Sequence, residues 1–289
     1  MHKLNNSFSG IMRNCRQFVQ SLIVFTFFLF STYLAVGQDY FSLLGASNLS
    51  GGTATTDVWS ANNNQAGLAF QEPFISVAFD YQNRFLMKSL DQTSFAISHK
   101  SKSGGFGLSF NSFGIETFNT KKVTLSYGKS FGSKFSFGLG LDYINIFQSE
   151  LYGSKNLFTF EMGMMAKPTE KFNIGAHVFN PIRAKIDDYS GETMPVILNL
   201  GVRWQATNQF NITADIMNDV VNQINISARG EYLIREIIFV RLGVVHNQNL
   251  SYTFGVGLHL GDFYIDFSNR LHPVLGQSPG VSIRYDFIQ

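Results

Sequence analysis

Across residues 74–289 the chain keeps returning to one figure: short runs in which every second residue is large and apolar, with small or polar residues between. In "SYTFGVGLHL" (251–260), Tyr252, Phe254, Val256, Leu258 and Leu260 alternate with Ser251, Thr253, Gly255, Gly257 and His259. Likewise Val196, Leu198, Leu200, Val202 and Trp204 oppose Asn199, Gly201, Arg203 and Gln205, and Val281, Ile283, Tyr285 and Phe287 oppose Ser282, Arg284 and Asp286. A period of two is that of a β-strand, whose successive side chains leave opposite faces. Fourteen such runs occur, starting at residues 74, 93, 105, 122, 134, 157, 172, 195, 209, 223, 237, 250, 262 and 280. Gly, Asn, Asp, Ser and Lys interrupt them, and no helical periodicity of any length lies between.

The two faces decide what closes the sheet. A soluble sandwich also alternates, but its outer face carries a dense Lys, Thr and Glu coat. Here the polar face is glycine-rich with isolated charges. A propeller would repeat a blade signature every forty to fifty residues, and none recurs. A closed transmembrane barrel explains both faces: lipid offers the backbone no hydrogen bonds, so the sheet has no edge, and large apolar side chains meet the acyl chains while small and polar ones face inward. Connection lengths agree, apart from the short Asn247–Asn249 link, which falls on the side of the long ones. If the N-terminal end lies in the periplasm, connections such as 101–104, 131–134, 168–171 and 207–209 return on that side and are short. Segments 82–92, 113–120, 148–156, 180–194 and 270–279 read as longer loops on the other. The expectation is an all-β, 14-stranded antiparallel barrel crossing the bacterial outer membrane, in contact with lipid or lipopolysaccharide.

Residues 1–37 read as a signal peptide: Lys3, Arg13 and Arg16 precede the apolar run "SLIVFTFFLFSTYLAV" (21–36), with Ala35 and Gly37 at the cleavage positions. A retained anchor is the rival reading, for which the run is somewhat short. The single cysteine, Cys15, lies in that segment, so the remainder has no disulfide, thiolate nucleophile or cysteine metal ligand. Removing residues 1–37 leaves 19 basic against 20 acidic residues, which predicts no nucleic-acid partner. His99, His177, His246, His259 and His272 are scattered, no serine sits in a nucleophile-turn motif, and no spacing suggests a metal site. No enzyme activity and no cofactor is expected.

The alternation places Asp80, Asp142, Glu161, Arg203, Asp215, Arg229, Glu231, Arg241, Asp266, Arg284 and Asp286 on the lumen side. With both signs present, they suit a hydrogen-bonded lattice or a surface holding a plug better than a one-sign ion filter. Residues 38–73 supply a candidate plug. "SNLSGGTATTDVWSANNNQAGLAF" (47–70) has the glycine, threonine and asparagine content of irregular, turn-rich backbone. A lumen shelters such backbone where hydrocarbon cannot, so we expect a short hatch inside the barrel, with a periplasmic tail as the alternative.

Trp59, followed by Asn64, Ala66, Gly67, Leu68 and Ala69 of "NNNQAGLA" (62–69), with a strand directly after, resembles the FadL-like superfamily of outer-membrane barrels. Within it the sequence is similar to the PorV/PorQ-type branch of Bacteroidota, in which proline is usual where Gln65 stands. "GLGLDYINI" (138–146) and "FNIGAHVFNP" (172–181) also resemble strand phrases of that branch. The resemblance implies an accessory of type IX secretion that binds other outer-membrane or secretion-system proteins, its hatch (Trp59, Asn64, Ala66, Gly67, Leu68) blocking leakage. Its long outer loops would be the contact surface, with Phe85, Leu86 and Met87 as apolar docking candidates. The alternative is a FadL-like transporter for a hydrophobic or small polar solute, in which Gly138, Gly140, Gly255 and Gly257 mark strand bends or close contact with a plug.

Overall fold

The computed structural model describes residues 52–149, 153–186, 191–219 and 223–288; the expected signal peptide and the first part of the expected hatch segment lie outside them. Fourteen strands run in chain order: β1 (Ile75–Asn83), β2 (Asp91–Ser101), β3 (Gly104–Ile115), β4 (Phe118–Phe131), β5 (Phe135–Gln148), β6 (Gly153–Thr169) and β7 (Phe172–Phe179), then β8 (Ile197–Gln205), β9 (Phe210–Asp219), β10 (Gln223–Ile234), β11 (Ile238–Asn247), β12 (Asn249–Leu260), β13 (Phe263–His272) and β14 (Gly276–Phe287). Each pairs antiparallel with its sequence neighbours, and β14 returns to β1 through a register running from Ile75 opposite Phe287 to Gln82 opposite Gly280. The sheet closes, leaving no edge, as a bilayer requires. Every expected strand is present.

Burial alternates along the strands, and it is inverted relative to a soluble protein. On β5, Ser136, Gly140, Asp142 and Ile144 face inward while Phe137, Leu139, Leu141 and Tyr143 face out. Phe158 is 73% exposed, Leu200 58% and Leu141 57%. In water a continuous apolar coat of this kind would far exceed the few hundred Å² that a soluble surface carries; in lipid it is the favourable face. The protein is a multi-pass outer-membrane barrel whose outer surface contacts lipid.

Two features depart from the sequence reading. Much of the expected outer-loop chain is strand: β3 and β4 leave only residues 116–117 between them, and β13 and β14 only 273–275. The long connections at that end are 84–90 and 180–196. Beyond the bilayer a strand no longer needs an apolar face, so alternation fades while backbone pairing continues. The second departure is helical. Within the segment read as irregular, Ser60–Asn63 forms one helical turn and Gln65–Phe70 a 3-10 turn. Short helices satisfy part of their own backbone polar groups, which an enclosed chain must do.

Candidate functional site

Residues 53–71 lie against the inner wall, and the wall bonds to them from many strands. Asn111 Nδ2 on β3 donates to Asn62 Oδ1 at 2.8 Å, and Ser126 Oγ on β4 donates to the Ala61 carbonyl at 3.2 Å. Ser136 Oγ on β5 donates to the Ala66 carbonyl at 2.8 Å, and Asn173 Nδ2 on β7 to that of Ala54 at 3.2 Å. In return, the Thr53 amide donates to Asp215 Oδ1 on β9 at 2.7 Å.

Asn64 ties these contacts together. Its Nδ2 donates to the Thr53 carbonyl at 2.7 Å and to the Met164 carbonyl on β6 at 3.1 Å, while its Oδ1 accepts from the Ala66 amide at 3.2 Å and so caps the 3-10 turn. Trp59 is buried in a small cluster with Val58, Ala78 and Ala96. Ala66 and Leu68 are fully buried. Gly67 has no room for a side chain, since a Cβ there would lie 2.4 Å from both Ser60 Oγ and the Thr55 carbonyl oxygen. Losing three hydrogen bonds of a buried amide costs about 1–3 kcal/mol once the stranded partners are counted. Asn64→Ala is therefore expected to loosen residues 53–66 selectively, read as faster amide hydrogen exchange there with the barrel amides unchanged.

Wall glycines exist because this segment's backbone touches the wall. A Cβ at Gly138 would lie 2.2 Å from the Ala66 nitrogen, one at Gly105 2.2 Å from the Leu68 oxygen, and one at Gly175 2.1 Å from the Thr53 oxygen. Of the two origins considered from sequence, Gly138 has close backbone contact. Gly257 instead makes room for the Asp266 carboxylate.

The eleven lumen charges fall into two groups rather than one lattice. Asp80, Asp142 and Glu161 are buried on the β1–β6 side. There Glu161 accepts from Lys122 Nζ at 2.7 Å, from His177 Nε2 at 3.0 Å and from Gln65 Nε2. Asn199 Nδ2 lies 3.1 Å from His177 Nδ1, so the imidazole bridges β6 and β8. Thr124 Oγ1 donates to Asp142 Oδ1 at 2.6 Å. Lys122, His177 and Gln65 were missed in the sequence. Lys122 reads there as a strand-initiating polar residue, whereas its in-phase spacing with Thr124 and Ser126 already places it inward.

The second group lines a cavity of about 240 Å³ on the β8–β14 side, walled by Arg203, Arg229, Glu231, Arg241, Asp266 and Arg284 with Thr55, Asp57 and Trp59 of the inner segment. Arg241 has two close carboxylates: its Nε donates to Glu231 at 2.6 Å and a terminal nitrogen donates to Asp266. Arg284 lies 3.3 Å from Asp286 and 3.7 Å from Asp57, with its guanidinium 3.8 Å from the Tyr264 ring centre. Asp286 also accepts from Ser76 Oγ, and Asp215 is taken by Thr53. Asp57 was missed as a site residue, although it is the lone acid in "SNLSGGTATTDVWSANNNQAGLAF". Burial raises its pKa above the usual carboxylate range, opposed by Arg284 and then Arg203. Among the described residues no group of three or more His, Cys, Asp or Glu side chains could hold a metal.

One connection packs inward. In the β7–β8 connection, Asn180 Nδ2 donates to the Met194 carbonyl at 2.7 Å and its Oδ1 accepts from the Ala184 amide at 2.9 Å. Met194 is thereby buried against Ile144, Leu157, Phe179 and Ile197. Phe85 lies in the β1–β2 connection, where its amide donates to Ser278 Oγ at 3.0 Å and its ring meets His272 edge-on; Leu86 and Met87 beside it are exposed.

No family model and no curated protein matches the chain. Solved structures do. The CymD monoaromatic hydrocarbon channel is 12% identical, with a TM-score of 0.65, and the match covers 86% of this chain and 99% of that one. The P. putida toluene transporter TodX is 13% identical, with a TM-score of 0.62 and coverage of 86% and 100%. A Pseudomonas aeruginosa FadL homologue is 13% identical, with a TM-score of 0.60 and coverage of 85% and 98%. These matches overturn the PorV/PorQ-type assignment, which rested on a short, loose motif. The protein-docking role in type IX secretion falls with it. The chain has the fold of the FadL-like outer-membrane channels.

Proposed function

We propose that this protein is an outer-membrane channel for small solutes, controlled by its own N-terminal segment, and that it is not an enzyme. One observation carries the reading: the lumen is divided, with the inner segment packed against the glycine-bearing wall of β3–β7 and an arginine-lined cavity beside it. A barrel needing only a sealed interior has no use for that cavity. The likeness to structures described as hydrocarbon channels and a toluene transporter supports the class of activity. In this reading Trp59, Asn64, Ala66, Gly67 and Leu68 hold the segment shut, and solute passes when it shifts.

Liposome swelling with purified protein tests this. Slow uptake of small solutes by the wild type, and faster uptake by Asn64→Ala, is the expected pattern. If neither protein admits any solute while both show the heat-dependent gel mobility of a folded barrel, the channel reading is wrong.

A further inference from the structure

We infer that the arginine-lined cavity is a binding subsite for a small organic carboxylate, which competes with Asp57 of the inner segment for Arg203 and Arg284. The inference deepens the channel reading, and rests on it, by naming a solute class.

The guanidiniums of the cavity are not equally satisfied. Arg241 has two close carboxylates, Glu231 and Asp266. Arg284 has only loose ones, at 3.3 and 3.7 Å, well outside the roughly 2.7–2.9 Å of a charge-assisted hydrogen bond. Arg203 enters no hydrogen bond or ion pair among the described residues, although it lines the cavity and its charge is felt at Asp57. A planar, bidentate donor left without a carboxylate in an enclosed site is what carboxylate recognition requires. Aromatic rings hold two of the neighbouring guanidiniums in place: Tyr264 lies under Arg284, and Phe239 lies 5.2 Å from Arg241.

Asp57 is the internal stand-in for that ligand. One oxygen is committed to the Trp59 amide at 3.0 Å, so only the other reaches toward Arg284. A free carboxylate carries no such constraint and would seat both oxygens. Size limits the rest of the molecule: about 240 Å³ corresponds to roughly eight waters at ~30 Å³ each, so a solute of about that many heavy atoms fits. Because Asp57 belongs to the segment that divides the lumen, displacing it from Arg284 also removes one of that segment's ties to the β14 wall.

Trp59 lines the cavity, and the only other tryptophan, Trp204, is on the outer face. In the full chain carrying Trp204→Phe, benzoate should therefore change Trp59 emission saturably, while the uncharged benzyl alcohol should not. Arg203→Gln should weaken benzoate at least tenfold. Asp57→Asn, which removes the competitor, should tighten it severalfold, a gain that a merely structural role for Asp57 would not give. An equal response to benzyl alcohol overturns the inference. So does unchanged benzoate affinity in Arg203→Gln, or weaker binding in Asp57→Asn. Uptake of neutral solutes without benzoate binding would reject this subsite and leave the channel standing; benzoate binding with no flux of any solute would do the reverse.

Discussion

Replacing Glu161 with alanine is expected to cost about 3–5 kcal/mol of barrel stability, the usual loss when one partner of a buried ion pair is removed. Glu161 and Lys122 are both fully buried, and the carboxylate also takes donors from His177 and Gln65. Without it the Lys122 ammonium loses its hydrogen-bonded carboxylate and keeps only the neighbouring Asp142 charge, and the inner segment loses its Gln65 tie to β6. The loss belongs mostly to the stranded charge, so Lys122→Met in the same chain should recover much of it, since exchanging both members of a buried pair for apolar residues is often close to neutral. Thermal denaturation followed by gel mobility measures both. A single-variant loss under 1 kcal/mol, or no recovery in the double variant, would show that water reaches Lys122.

Gly138→Leu should open the protein rather than unfold it. The added Cβ would fall 2.2 Å from the Ala66 nitrogen, against backbone that cannot yield by rotating a side chain. The β5 wall is paired on both sides over its length, so the inner segment is the part that moves. Overpacking costs about 1–3 kcal/mol, which, loaded onto the seated state alone, raises the displaced population roughly 5- to 150-fold. Solute uptake should rise with it, and protease should cut within residues 53–71 of a barrel that stays intact. Unchanged uptake together with lowered barrel stability would mean that the wall bends and the segment does not.

How much of this was legible depends on which solvent each residue meets. Tyr252, Phe254 and Val256 meet lipid and are uniformly large, so strand number, phase and membrane location could be read from alternation alone. Strand ends could not. Asn119, Thr120 and Lys121 are paired with Phe147, Ile146 and Asn145, yet their composition is that of a turn, because nothing beyond the bilayer demands a greasy face. Pro279 in β14, opposite Asn269, hid strand for a related reason, since proline normally argues against a paired position.

The interior was partly legible. Alternation put all eleven charges on the lumen side but could not say which met across the barrel, because that depends on strands far apart in sequence. Nor could it show that Arg284 meets Asp57, which lies on the inner segment and not on a strand. The PorV/PorQ-type reading could not be carried by a motif of eight residues, since those positions serve burial and capping: Asn64 caps a turn, and Gly67 fills a space too small for a Cβ.

Residues 53–71 lead through Phe74, whose amide donates to the Phe287 carbonyl, straight into β1, and β1 is zipped to β14. First strand and last strand thus form the seam, with the inner segment joined to the first. The chain therefore places the inner segment ahead of all fourteen strands that surround it, joined directly to the strand that the last one must find for the sheet to close.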